Sequence, residues 1–416
     1  MKRKLVRLLL WLLMPTSIMH AAQPTDTLQT DTVPDLPTDI KASIFDASAG
    51  DDLYTSFGHC AIRLECPSKG FDICFTFALD DNYEKKMTFF TGKGFGTYNV
   101  MDTQRYIESY SMEHRTVTMY ELNLTLDEIR LLWEQLDTEL SHPTAYRYDY
   151  LHTNCSSMCM KALEAALIDE EIVYDQLPPS VTGTYRDFVR SLAKESPWSE
   201  FFWQTLLGSE GEETGILTDK ISPFFIADIL SHARFKHNNG SSRPVLKSSK
   251  GKLVNTPSPL APHPSSFTPT ICMAIVLLVA LLLTAVGRVK RKSQPVKIAS
   301  KGFDALLLIS QTLIGLLVCY MTFGSQLSSA HHNWYALVFN PLPLLAWLFL
   351  RRRPWYSRVW AGFGIIALLF VCSMPFNPQL DWPHASLLLA YAVRCLDISS
   401  QAKRTKETIS LLRKAY

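Results

Sequence analysis

Five apolar segments crowd the last third of the chain, at roughly 271–286, 303–323, 335–350, 359–374 and 385–398, each a candidate to span a bilayer. The last is the shortest and carries Arg394 and Asp397 near one end. The loops between them alternate in charge. Arg288, Lys290, Arg291, Lys292, Lys297 and Lys301 follow the first segment, and 324–334 holds no Lys or Arg. Arg351, Arg352, Arg353 and Arg358 follow the third, 375–384 again holds none, and Lys403, Arg404, Lys406, Arg413 and Lys414 follow the fifth. Because basic residues stay on the cytoplasmic side, this order predicts five spans with residues 23–268 outside and the C-terminus inside. Buried helices of a large soluble core would have no reason to alternate in this way.

The formal net charge of +2 is therefore a cancellation. Residues 269–416 carry 16 Lys/Arg against 4 Asp/Glu, whereas residues 1–268 carry 25 against 35. With 19% charged residues a wholly soluble enzyme is excluded, and so is a basic nucleic-acid module, because the positive excess sits beside apolar segments. Lys2, Arg3, Lys4 and Arg7 precede the apolar run Leu8 to Met14, and the chain turns polar after Ala21-Ala22. That is the layout of an export signal, with cleavage expected near Ala21 or Ala22. The expected organisation is a signal segment at 1–22, an exported domain at 23–236, a linker rich in Asn, Ser, Pro, Lys and Gly at 237–268, and a five-helix membrane domain at 269–416.

The exported part reads as strands followed by helices, an α+β domain. Strands are expected near 40–47, 59–66, 71–77 and 117–122, with Pro67-Ser-Lys-Gly70 as a hairpin turn that pairs Cys66 with Phe71. Counting back puts Cys60, Ile62, Leu64, Phe71, Ile73, Phe75 and Phe77 on a buried face. His59, Ala61, Arg63, Glu65, Asp72, Cys74 and Thr76 fall on a polar one, with Thr76 the nearest hydrogen-bonding neighbour of His59. Thr125-Leu-Asp-Glu128 is a capping box for a helix to about 140, a second helix begins near Cys155, and others are expected around 184–195, 198–207 and 219–235.

Cysteine count sharpens the search for chemistry. Cys272, Cys319, Cys372 and Cys395 fall in apolar spans, leaving Cys60, Cys66, Cys74, Cys155 and Cys159 outside, an odd number that guarantees an unpaired thiol. Asn154 is a good N-cap, so Cys155 falls in the first turn of a helix, where free backbone N–H groups and the helix dipole favour a thiolate and offer donors to an oxyanion. With His59 as base, Cys155 has the minimum apparatus for nucleophilic acyl transfer. A Cys155 that merely packs near Cys159, and a His59 that is an ordinary strand residue, are the structural alternatives. A disulfide between Cys155 and Cys159 within one helix is geometrically poor, and a zinc site lacks a second ligand pair, so neither metal nor cofactor is expected.

The segments Tyr54-Thr-Ser56-Phe-Gly-His59 and Tyr146-Arg-Tyr-Asp-Tyr-Leu-His-Thr-Asn154-Cys155 resemble the circularly permuted papain-like fold of NlpC-related and lecithin–retinol acyltransferase-like proteins. More closely, residues 40–235, with Gly96-Thr-Tyr98, Arg115 and Leu122-Asn-Leu124, resemble the Lnb N-terminal periplasmic domain family. The likeness continues into His331-His-Asn-Trp334 and Phe339-Asn-Pro-Leu342. The chain departs from it at Phe77-Ala78, where Tyr-Gly is expected, and at Met158, where Arg is usual.

The resemblance implies a lipoprotein N-acyltransferase of the bacterial inner membrane with its catalytic domain in the periplasm. Its partners would be a phospholipid acyl donor and a diacylated lipoprotein acceptor. Cys155 would be the nucleophile and His59 the base, with Asn154, Ser56, Tyr54 and Thr76 in supporting positions. On the outer face of the membrane part, His331, His332, Asn333 and Asn340 are further site candidates, while Asn340 beside Pro341 could equally bond helix to helix. Tyr148 and Asp149 are read as fixing the turn into the Cys155 helix. The competing readings are a membrane-anchored cysteine hydrolase of peptidoglycan or peptides and a non-enzymatic envelope scaffold.

Overall fold

The structure is a computed structural model, and it describes residues 37–416 apart from 51–54, 56, 80–90, 150, 178, 192–196, 215–225, 256–266, 291–292 and 416. Tyr54, Ser56 and the signal segment 1–22 thus lie outside the described residues. The strands are β1 (Lys41–Ala47), β2 (His59–Cys66), β3 (Phe71–Leu79), β4 (Phe95–Asp102), β5 (Val117–Glu121), β6 (Tyr146–Arg147), β7 (Glu170–Tyr174), β8 (Ala233–His237), β9 (Ser242–Pro244) and β10 (Lys252–Leu253). The helices of the N-terminal part are α1 (Thr103–Met112), α2 (Leu126–Ser141), α3 (Cys155–Ala165), α4 (Tyr185–Ser191), α5 (Pro197–Leu206) and α6 (Ile226–Ser231). The C-terminal part holds α7 (Pro269–Val289), α8 (Gln294–Phe323), α9 (Leu342–Leu350), α10 (Tyr356–Cys372) and α11 (Trp382–Ala415). The chain is thus a mixed sheet-and-helix domain followed by a helical region.

Seven strands form one antiparallel sheet in the order β10-β5-β1-β2-β3-β4-β6. The β2–β3 hairpin has the expected register, Cys66 opposite Phe71, because Pro67–Lys69 makes a single 3-10 turn closed by Gly70 in the left-handed conformation. One face, with Cys60, Ile62 and Leu64, packs under α2 and α3. The opposite face is not the open polar surface expected. Tyr106 and Ile107 of α1 cover it and bury Phe45, Ala47, Ala61 and Cys74 beneath them. Strand β4 lacks a clean alternation in sequence, and α1 turns Thr103, Tyr106 and Ile107 inward as its buried side. Thr76 is accordingly buried, opposite Ala61 of β2 and Asn99 of β4.

Two further expectations change. Residues 242–253, assigned to the linker by composition, supply β9 and β10: β9 completes a small sheet ordered β7-β8-β9, and β10 extends the edge of β5. Side-chain charge holds β9 in place. Arg243 pairs with Glu128 and Glu170, each at 2.7 Å, and lies 4.5 Å over the Phe235 ring. The helix expected over 219–235 ends at Ser231, because Ala233–His237 is strand β8.

In the C-terminal region α7 and α8 are long and apolar enough to cross a membrane, whereas the third apolar segment is interrupted. It begins as a 3-10 turn at Trp334–Leu337 and becomes helix only at Leu342, nine residues that rise about 14 Å. Pro341 forces the break, and Asn340 satisfies the freed backbone. Its Nδ2 donates to the carbonyls of Ala336 and Leu337, and its Oδ1 accepts from Leu342 N–H. Gln311 of α8 donates to the Val338 and Asn340 carbonyls at 3.2 and 2.8 Å. Deeper in the bundle Arg394 of α11 ties three helices together. Its guanidinium meets Asp304 of α8 at 2.6 and 2.9 Å, Thr284 of α7 at 2.7 Å and Asp397 at 3.2 Å.

The two parts meet in a seam along α5 and residues 207–212. Thr205 Oγ1 lies 2.7 Å from His384 Nε2, and His384 Nδ1 lies 2.6 Å from Asp381, with the imidazole sandwiched between the Phe201 and Tyr335 rings. Asn333 Nδ2 donates to the Thr205 carbonyl at 2.8 Å. Gly208 N–H donates to Ser329 O at 2.7 Å and Ser209 N–H to His331 O at 3.2 Å. Gly208 leaves no room for a Cβ, which would overlap the His331 carbonyl. Gly208→Val is expected to destabilise the protein by about 1–3 kcal/mol through overpacking. It should also raise the rate at which protease cuts near residue 208 in detergent-solubilised protein, with α7–α11 still resistant.

Candidate functional site

Cys155 is the first residue of α3, and the helix begins there because Asn154 caps it. Asn154 Oδ1 accepts from the N–H groups of Ser156 (3.0 Å) and Ser157 (3.1 Å), while Ser157 Oγ reaches back to Asn154 N–H at 2.9 Å. Upstream, Asp149 Oδ1 accepts from Leu151 and His152 N–H and fixes the turn, as the sequence suggests. This geometry aims Cys155 at the start of β2. The N–H of Cys60, the residue after His59, points at the Cys155 sulfur.

His59 sits on the other side of that strand, half-buried, with its ring stacked on Tyr110 at 6.2 Å. Tyr110 lies within electrostatic reach of Cys155 and carries the Arg115 guanidinium 4.5 Å over its own ring. Tyr148 brings its hydroxyl against both the sulfur and the N–H of Cys155. Cys155 thus approaches β2 at Cys60, the residue next in sequence to His59, and among the described residues no hydrogen bond joins the His59 and Cys155 side chains. Nor does one join His59 to Thr76, which faces Ala61 instead.

The electrostatics differ from those expected of a thiolate at a helix start. Cys155 is only 1% exposed, and burial, reinforced by the neighbouring Cys60 thiol, pushes its pKa up to about 12 against the pull of the Cys60 and Ser156 N–H groups. The helix-end donors are shared, since Asn154 also accepts from the Ser156 and Ser157 N–H groups and Tyr148 lies against that of Cys155, which leaves the sulfur only part of their pull. His59 is pushed the other way, down to about 3, first by burial and then by the positive charge of Arg115. At neutral pH the two side chains are a thiol and an uncharged imidazole.

Asp46 was not singled out from sequence. It stands opposite Cys60 in the β1–β2 ladder, and burial raises its carboxyl to about 7, with Arg115 pulling down and Asp228 pushing up. The signal was there only as an acidic residue inside an apolar strand.

The membrane-face candidates are held elsewhere. Asn333 caps the turn at Trp334 and bonds α5, and Asn340 caps α9. His331 Nε2 bonds the Ser325 carbonyl, and His332 is exposed with φ of 53°. The outer loop still reaches the site's surroundings, because Ser328 Oγ donates to Glu210, which meets His152 Nε2 at 3.0 Å, three residues before Cys155. Among the described residues no group of three or more His, Cys, Asp or Glu side chains is placed to hold a metal ion.

Residues 35–193 match the family model of the Lnb N-terminal periplasmic domain, and residues 261–406 match that of the Lnb transmembrane domain. The first match contains β1 to α4 with His59, Arg115 and Cys155, and the second contains α7 to α10 and most of α11. Carrying both domains in sequence, the chain belongs to the Lnb family. It is a membrane protein with a periplasmic domain, and its family points to an acyltransferase-like role on lipoproteins. Comparison with curated proteins and with solved structures returns no match.

Asp46 gives a pH test of this arrangement. Its folded pKa, about 7, lies above the unfolded value of 3.8, so its neutral form contributes stability below pH 4 that is lost as pH rises through 7. Asp46→Asn should therefore gain stability relative to the unsubstituted protein between pH 4 and 8. The gain at pH 8 should reach roughly 2–4 kcal/mol, read as the difference between denaturation curves at the two ends.

Proposed function

We propose that the protein is a lipoprotein N-acyltransferase. It moves a fatty acyl chain from a phospholipid, through a thioester on Cys155, to the α-amino group of a lipoprotein's N-terminal cysteine. The observation that carries this reading is the meeting of the first residue of α3 with the first residues of β2. It puts a cysteine sulfur against the backbone beside an uncharged histidine, and it does so in a chain with both Lnb domains. A histidine strand preceding a cysteine helix also agrees with a permuted papain-like arrangement, and five membrane crossings agree with the alternation of basic loops.

His59 takes the Cys155 proton as the sulfur attacks the donor ester carbonyl. The Tyr148 hydroxyl, beside the sulfur, is the donor best placed for the oxyanion that forms. Collapse breaks the ester C–O bond; the lysophospholipid alkoxide leaves with the proton from His59, and the acyl group stays on sulfur. The uncharged acceptor amine then attacks the thioester, the C–S bond breaks, and His59 moves the amine's proton to the departing thiolate. Amide and free thiol result.

The seam favours lipid substrates over soluble ones. With α5 and residues 207–212 bonded to the outer loop and α11, and His152 tied through Glu210 to Ser328, Cys155 is held next to the lipid surface. Donor and acceptor are anchored in that same plane, so proximity favours the tethered amine over water.

The test is the mass of a reporter lipoprotein's N-terminal peptide from cells carrying the unsubstituted chain, Cys155→Ala or no chain. The acylated form should disappear in the last two. Incubating purified protein with phospholipid and no acceptor should add one acyl mass at Cys155, released by hydroxylamine and absent from Cys155→Ala. An unchanged acylation pattern in all three strains would sink the proposal.

A further inference from the structure

His59 has a ring stack where a third catalytic group would ordinarily hold the imidazole. Its ring lies nearly parallel to Tyr110, at 15°, and Arg115 covers the far side of Tyr110. Arg115 is anchored from behind. Its Nε donates to the Ser48 carbonyl at 2.7 Å and its Nη1 to Glu113 at 3.0 Å, so the guanidinium cannot swing away. It is 4% exposed, and among the described residues its Nη2 is buried with no hydrogen-bond partner. A buried donor of a charged group left unpaired costs stability, and an arginine serving only to close the turn after α1 would be expected to satisfy it. What Arg115 gains by standing there is its neighbours: Tyr110 by stacking, His59 and Asp46 by charge.

We propose that Arg115 and Tyr110 are the positioning residues of the site, a cation–aromatic stack that fixes the plane of the His59 ring. The proposal rests on the acyl-transfer reading above. Stacking sets the orientation, and the fixed charge sets the protonation state. The titratable groups around this corner are Tyr110 from α1, Asp46 from β1, Cys60 from β2 and Cys155 from α3, with Glu113 on the outer side of Arg115. Burial keeps the two thiols and Tyr110 in their neutral forms at neutral pH, which leaves Arg115 as the permanent charge facing His59. An imidazolium would be repelled by it, so the stack keeps His59 available as a base down to acidic pH.

The experiment uses full-length protein in phospholipid–detergent micelles and reads the rate of acyl-thioester formation from pH 2.5 to 7.5, a range that brackets the depressed His59 ionisation. Arg115→Met should move the acidic limb up by about one pH unit or more and lower the neutral-pH rate roughly tenfold to a hundredfold. Arg115→Lys should return the limb toward its original position while the rate stays reduced. Tyr110→Phe should keep both, and Tyr110→Leu should lose rate. A limb that stays in place in Arg115→Met, or a loss of rate equal at every pH in both Arg115 variants, would overturn the proposal. The ionisation of His59 followed by 15N-histidine NMR in the same variants needs no turnover. A midpoint that rises in Arg115→Met supports the stack even if Cys155 proves to serve another reaction, and one that does not move overturns it.

Discussion

Everything about the site's placement depends on the seam between α5 and the outer surface of the helical region. Thr205, a single residue, bonds His384 through its hydroxyl and accepts from Asn333 through its carbonyl, so α5 is bonded to α11 and to the turn before α9 at one point. The next residues continue as backbone-to-backbone bonds at Gly208 and Ser209. Backbone bonding at such close approach leaves little freedom for rocking. The α5–seam assembly includes Glu210, and through His152 the turn that launches α3 is joined to it. The turn before Cys155 is in this way joined to the outer loop of the helical region through the Glu210 side chain.

Within the site, desolvation outweighs the helix end. A cysteine at a helix N-terminus is ordinarily expected to ionise readily, because unpaired N–H groups face it. Here a strong cap shares those groups, and nearly complete burial removes water. The same burial acts in the opposite sense on His59 and is reinforced by Arg115. The two effects leave both groups uncharged at rest.

Local signals proved legible wherever one residue type has one structural use. The Thr125 to Glu128 capping box, the Asn154 cap and the Pro67 to Gly70 turn all stand as read, and with them the β2–β3 register. What composition could not convey was coverage. Nothing in the pattern of β2 says that α1 will lie on its second face, since Ala61, Cys74 and Thr76 are small or polar and suit either environment. The strands β9 and β10 were hidden for a related reason. Ser, Arg, Lys and Pro look like linker, and only the long-range pairing of Arg243 with Glu128 and Glu170 makes a strand of them. In the site, cysteine and histidine could be chosen by chemistry, whereas Tyr110, Tyr148 and Asp46 act through contacts between distant segments that one sequence does not reveal. Asn340 went to helix capping because the proline after it created a local need for a partner.

Five cysteines lie in the periplasmic domain, and Cys60, Cys66, Cys74, Cys155 and Cys159 are all free thiols and all buried. The compartment around them oxidises accessible thiols to disulfides. Exchange requires a thiolate and an approach to sulfur, and both are withheld here: burial raises the pKa of Cys74, Cys155 and Cys159, and the hydrogen bond with Cys159 together with burial raises that of Cys60. The packing that keeps these thiols un-ionised therefore also preserves them: the interior of the domain serves as a small sheltered enclosure inside an oxidising space.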